Sequence, residues 1–60
     1  MSKKDHELIA RALRDTKPEA ENYEALKQWN ITVEGIVFVL FQDNPNFKPS
    51  LFHKASGYNS

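Results

Sequence analysis

Apolar residues recur at helical spacing near the start of the chain, and polar residues fill the positions between them. The apolar positions fall three or four residues apart or side by side, which places them along one side of a helix. Ser2 and Asp5 have the spacing of a capping box, in which a hydroxyl and a carboxylate satisfy free N–H groups of the first turn. The pattern predicts a helix over residues 3–15. Its apolar side consists of Leu8, Ile9, Ala12 and Leu13.

The middle of the chain keeps the same spacing over a longer stretch. Thr16 and Glu19 again have capping-box spacing, with Pro18 tolerated in a first turn. The pattern predicts a helix over residues 19–42, which would be about 36 Å long at roughly 1.5 Å per residue. The positions that follow this spacing are Tyr23, Leu26, Trp29 or Asn30, Val33, Ile36 or Val37, and Leu40.

Residues 31–41 also fit a second structure, a β-hairpin. They are rich in β-branched and aromatic side chains, and Glu34-Gly35 stands between the two apolar runs, where a two-residue turn would be. Glu-Gly is, however, a weaker turn signal than Asn-Gly or Asp-Gly, and no third strand is evident to stabilise a hairpin. The spacing favours the helix, and the hairpin is the alternative.

A turn and a short apolar segment follow the central helix. Residues 43–46 read Asp-Asn-Pro-Asn, a sequence typical of turns. Pro49 suits the first position of a helix, and Gly57 suits the left-handed residue that follows one. We therefore predict a third helix over residues 49–56 and an all-α fold in a single domain, residues 1–60. In this fold the long central helix has a shorter helix packed on each of two sides.

Composition and charge exclude several classes of protein. Hydrophobic residues make up 40% of the chain and eight basic residues balance eight acidic ones, so the composition is not that of a disordered protein. The longest apolar run, residues 36–41, is too short to cross a bilayer. Lys3-Lys4 is not followed by an apolar core of about 7–15 residues, so this stretch is not expected to be a secretory signal. We expect a cytoplasmic protein that does not contact a membrane.

Residues that commonly carry chemistry are scarce. The chain has no cysteine, only His6 and His53 as imidazole ligands, and two glycines, which are too few for a phosphate-binding loop. No serine, histidine and acid stand in an order typical of a catalytic set, and so short a chain leaves little volume for a pocket. We expect no enzymatic activity, no metal or other cofactor, and no small-molecule substrate.

Both ends of the chain resemble a group of short proteins encoded by phages and prophages. The beginning, Lys4-Asp5-His6-Glu7-Leu8-Ile9-Ala10 with Ala12-Leu13-Arg14, is similar to the start of those proteins. The ending is similar too, with Asp43-Asn44-Pro45-Asn46-Phe47 and then Phe52, Ala55 and Gly57. The resemblance implies a helical middle segment and a small accessory protein, and it implies no activity. The chain departs from the pattern at Lys48-Pro49, where an aspartate cap is usual, and at Ser56, where cysteine is common.

The surplus of apolar residues in the central helix is the most informative feature for function. The six residues 36–41 are all apolar, and on a helix they point to every side. A 60-residue monomer has difficulty covering them all, and exposed apolar patches usually mark protein interfaces. We expect the central helix to bind a protein, either a second copy in a homodimer or a host protein. The predicted contact residues are Trp29, Val33, Ile36, Val37, Phe38 and Phe41.

A small DNA-binding regulator is the alternative function. The C-terminal half has the element order helix, turn, helix, and its last part carries basic residues with no acid between them. The chain as a whole is neutral, so its electrostatic attraction to phosphates would be weak. The residues that would contact nucleic acid are Lys48, His53, Lys54 and Tyr58.

Overall fold

The computed structural model describes residues 2–58, which form three α-helices with no strand among them. The helices are α1 (Lys3–Asp15), α2 (Tyr23–Asp43) and α3 (Pro49–Ser56). The prediction of an all-α fold with a long central helix is confirmed, and residues 31–41 are helical rather than a hairpin. Met1 and the last two residues of the predicted domain lie outside the described part.

Helix α1 begins and ends where the sequence predicts. The backbone N–H of Asp5 donates to Ser2 Oγ (3.3 Å), and the backbone N–H of Ser2 donates to the Asp5 carboxylate (3.0 Å), which completes the capping box. At the other end the Thr16 hydroxyl donates to the carbonyls of Ala12 (2.9 Å) and Leu13 (3.1 Å). These bonds satisfy acceptors that the last turn of a helix leaves free.

Helix α2 begins at Tyr23 rather than at residue 19, so the predicted start is wrong. The predicted cap, Thr16, is bonded to the end of α1 and is therefore not free to begin a second helix. Asn22 caps α2 instead, because its side-chain oxygen accepts the backbone N–H of Ala25 (3.3 Å). Residues 16–22 consequently form the loop between α1 and α2.

Helix α3 is defined by a proline at its start and a glycine after its end. Lys48 precedes the helix without a side-chain cap, and Pro49 occupies the first turn, where its missing N–H removes no helical hydrogen bond. Gly57 follows with φ of 81°, and its N–H donates to the Lys54 carbonyl (3.3 Å). The predicted bounds of this helix are confirmed.

Helices α1 and α3 lie on the same side of α2 and contact each other. The prediction that they cover two different sides of α2 is therefore wrong. The buried residues of α2 recur every third or fourth position and form a single stripe that faces the other two helices. This stripe consists of Trp29, Val33, Val37 and Leu40.

The core joins this stripe to the rest of the chain. Ala10 and Leu13 come from α1, Phe47 from the loop before α3, and Phe52 from α3, and all four are buried. The indole N–H of Trp29 donates to the Leu13 carbonyl (3.0 Å), so a buried hydrogen bond attaches α2 to the end of α1.

The loop after α1 is attached to the end of α3 around the same tryptophan. Lys17 Nζ donates to the Gly57 carbonyl and lies 5.5 Å from the centre of the Trp29 ring. Tyr58 stacks on Trp29 (6.4 Å between ring centres) and on His53 (4.6 Å). These contacts hold α1 and α3 together on one side of α2, and the opposite side of α2 carries exposed residues.

Candidate protein interface

The structure divides the predicted interface residues into three groups by their burial. Trp29, Val33 and Val37 are buried in the core, so intramolecular packing already occupies them, and this corrects their assignment to an interface. Ile36 is half-buried against the same core. Phe38 and Phe41 are exposed and remain candidates for contact with another molecule.

Most of the exposed apolar residues of the middle of α2 lie on the side that faces away from α1 and α3. With 3.6 residues per turn, positions 31, 35 and 38 fall about half a turn from the buried Val33 and position 39 flanks them, whereas position 41 lies only about 80° from Val33, on the same flank as Glu34. We call the side opposite Val33 the outer face of α2, and it consists of Ile31, Gly35, Phe38 and Val39. The exposed fractions are 56% for Ile31, 53% for Phe38, 63% for Val39 and 50% for Phe41.

Sequence reasoning missed two members of the outer face, Ile31 and Val39. The spacing of apolar residues alone does not distinguish the two sides of α2, since both sides carry them. Trp29 is the residue that could have distinguished the two sides, because it has the largest apolar side chain in the helix and tryptophan is highly buried on average. If Trp29 faces the core, positions half a turn away face outward.

The outer face has the size of a functional apolar patch. Taking roughly half the area of a large apolar side chain for each of its three side chains gives about 300 Å² of exposed apolar surface. The accessible surface of the chain is 4612 Å². The largest apolar patch on a typical soluble monomer covers about 300–600 Å² and often binds another molecule.

Charge is nearly absent from the outer face. Between residues 31 and 42 the only ionisable side chain is that of Glu34. Its Oε1 lies 2.7 Å from His53 Nε2, so it is directed toward α3 on the flank of α2. An apolar partner could therefore cover the outer face without burying an unpaired charge, which would be costly.

The residues predicted to contact nucleic acid do not form a basic surface. His53 is bonded to Glu34, and its ring stacks on Tyr58, which is itself half-buried against Trp29. Lys48 and Lys54 are exposed, at opposite ends of the short α3. Two separated lysines supply little of the electrostatic attraction on which binding to phosphates depends, so the geometry gives this alternative no support.

A groove of about 420 Å³ opens between α1, α3 and the loop that precedes α3. The expectation that the chain leaves little volume for a pocket is therefore wrong. The buried rings of Phe47 and Phe52 line the groove together with the charged side chains of Lys3, Glu7 and Lys48. Its lining contains no hydroxyl or thiol nucleophile, and residues 2–58 hold no group of three side chains that could bind a metal ion.

No protein-family model, curated protein or solved structure matches the chain. Within residues 2–58, no helix is both long enough and apolar enough to cross a membrane. The outer face of α2 is therefore the feature from which a function can be argued.

Proposed function

We propose that this chain is a small, non-enzymatic accessory protein that works by binding another protein through the outer face of α2. The partner is a second copy or a host protein. The resemblance of residues 4–14 and 43–57 to phage and prophage proteins supports an origin of that type, and hence a place in the cytoplasm of a host cell.

The exposed outer face is the observation that carries this proposal. At about 25 cal/mol per Å², covering about 300 Å² of apolar surface is worth at most ~7.5 kcal/mol. The exposed parts of these side chains do not stabilise the monomer, because α1 and α3 pack on the other side of α2. A partner that covers the outer face would gain part of this free energy, reduced by the entropy lost on association.

Replacing Phe38 by lysine tests the proposal, because Phe38 is exposed and its loss leaves the core intact. Leu8→Lys is a matched control, since Leu8 has the same exposed fraction, 53%, but lies on α1. Sedimentation equilibrium at micromolar concentration measures self-association. The immobilised chain, incubated with a bacterial lysate, measures retention of a foreign protein.

The expected result is that the parent chain and Leu8→Lys either self-associate or retain the same protein, and that Phe38→Lys does neither. Circular dichroism of the three chains should give superimposable helical spectra, which excludes unfolding as the cause. If the parent chain is a monomer and retains nothing that Phe38→Lys fails to retain, the proposal is wrong.

A further inference from the structure

Gly35 stands in the interior of α2, where glycine is among the least favourable residues for a helix. Nothing outside the local helix lies within 4 Å of the place where a Cβ would be. Packing within the chain therefore does not require a glycine at this position, and an alanine would fit there without a clash.

Gly35 lies in the middle of the outer face and forms a notch in it. Ile31 stands one turn before it and Val39 one turn after it, and Phe38 lies beside it. A missing side chain between larger apolar ones allows the backbone of another helix to approach closely. Close approach matters because the side chains at the contact set the distance between two packed helices.

We infer that the partner of the outer face is a second copy of this chain, bound through an antiparallel contact of two α2 helices that cross at Gly35. This inference rests on the proposed function. When two α2 helices run antiparallel and cross at Gly35, Ile31 of each helix lies beside Val39 of the other. Each copy then presents the same apolar side chains and the same notch to its partner. A two-fold axis needs this self-complementarity, and two-fold dimers are the commonest closed assemblies.

The area of the outer face is sufficient for a specific dimer. An interface that is somewhat more than half apolar and contains about 300 Å² of apolar surface per copy would bury about 1,050 Å² in total. That reaches the area of about 1,000 Å² that a specific interface with good complementarity needs. The lone ionisable group of this stretch, Glu34, is bonded to His53 within its own chain and does not oppose the pairing.

Substitutions of Gly35 give effects of opposite sign on folding and on association. Gly35→Ala and Gly35→Gln both replace glycine by a better helix former, so at submicromolar concentration both should raise the thermal midpoint. Both should weaken the dimer measured by sedimentation equilibrium, Gly35→Ala about tenfold and Gly35→Gln more than a hundredfold in Kd. Ala12→Gln on the exposed side of α1 is the control and should leave Kd unchanged.

The orientation is measured by cross-linking, because the chain has no cysteine of its own. A mixture of Ile31→Cys and Val39→Cys chains should oxidise to the mixed disulfide in preference to either homodimer. Dominance of the Ile31→Cys homodimer would indicate a parallel contact and overturn the antiparallel one.

Other results separate this inference from the proposed function. A parent dimer that Phe38→Lys dissociates and Gly35→Gln leaves intact would overturn the crossing at Gly35 while supporting the outer face. A parent monomer that retains a foreign protein through Phe38 would overturn the second copy as partner and leave the proposed function standing. A lower thermal midpoint for Gly35→Ala in the monomer would overturn the premise that Gly35 has no role in folding.

Discussion

Phe52 should carry a large part of the stability of this small domain. It is 4% exposed, and its ring meets that of Phe47 edge-on, with 5.6 Å between ring centres. Removing the ring would leave a cavity between α3 and the rest of the core. Edge-to-face aromatic pairs also contribute about 0.5–1.5 kcal/mol beyond the burial of their area, so Phe47 would lose a favourable contact as well.

The loss of stability caused by each substitution of Phe52 decides which variant stays folded enough to be measured. Phe52→Ala should cost about 3–5 kcal/mol, as is usual for a buried aromatic ring. The core of a chain this short supplies roughly the same amount, about 3–5 kcal/mol, so the alanine variant should be largely unfolded at 25 °C. Phe52→Leu retains most of the apolar volume and should cost about 1–2 kcal/mol, at roughly 0.8 kcal/mol per buried methylene.

Circular dichroism at 222 nm during thermal unfolding measures both effects. Phe52→Leu should lower the midpoint by about 5–15 °C, at roughly 4–8 °C per kcal/mol for a small domain. Leu51→Ala is the matched control, because Leu51 is the preceding residue of α3 and is 56% exposed, and its midpoint should change little. All chains are compared at one protomer concentration, because self-association would raise the midpoint. A cooperative transition of Phe52→Ala near the parent midpoint would refute the assigned core.

Three further changes test the ends of the helices and the buried tryptophan. Trp29→Phe removes the N–H that donates to the Leu13 carbonyl, which keeps its bonds from Thr16, so the loss of this one hydrogen bond should cost about 0.5–1.5 kcal/mol in urea unfolding. Gly57→Ala should cost about 1–2 kcal/mol in the same assay, because φ of 81° is unfavourable for an L side chain. Hydrogen bonds from Ser2, first from its backbone N–H and then from its hydroxyl, hold the pKa of Asp5 below its ordinary value. A carboxyl whose pKa is lowered by folding stabilises the protein above its unfolded pKa. Asp5→Asn should therefore be less stable than the parent chain at pH 7, with a difference that disappears as the pH falls below about 4.

Local chemistry explains which parts of the fold could be predicted from the sequence. The start of α1 depends on Ser2 and Asp5, three residues apart, and the end of α3 depends on the conformational freedom of Gly57; both are local and both were predicted correctly. The start of α2 was not, because Thr16 can begin one helix or end another. Its hydroxyl bonds the last carbonyls of α1, and that choice depends on the fold of the loop that follows.

The candidate interface depends on tertiary structure and was predicted only in part. Apolar residues occupy every side of α2 between positions 36 and 41, so their spacing does not reveal which side α1 and α3 cover. Burial of Trp29 and its bond to Leu13 select one side, which leaves Phe38 on the opposite side and Phe41 on the flank. Because α1 and α3 both pack on one side of α2, about half of the surface of α2 stays uncovered. One helix on each of two sides would have covered more of it.

The outer face combines two features that are unfavourable for a monomer, and packing against a second helix would offset both. Ile31, Val39 and Gly35 are weaker helix formers than alanine or leucine, and in an exposed position no packing compensates for their low propensity. The same side also leaves apolar surface in water. Packing against a second helix would cover the apolar side chains and hold this part of α2 helical. The residues with low helix propensity and the exposed apolar surface therefore occur together, at the place where we propose that a partner binds. Natural sequences are otherwise locally consistent with their folds, and departures are expected at functional sites.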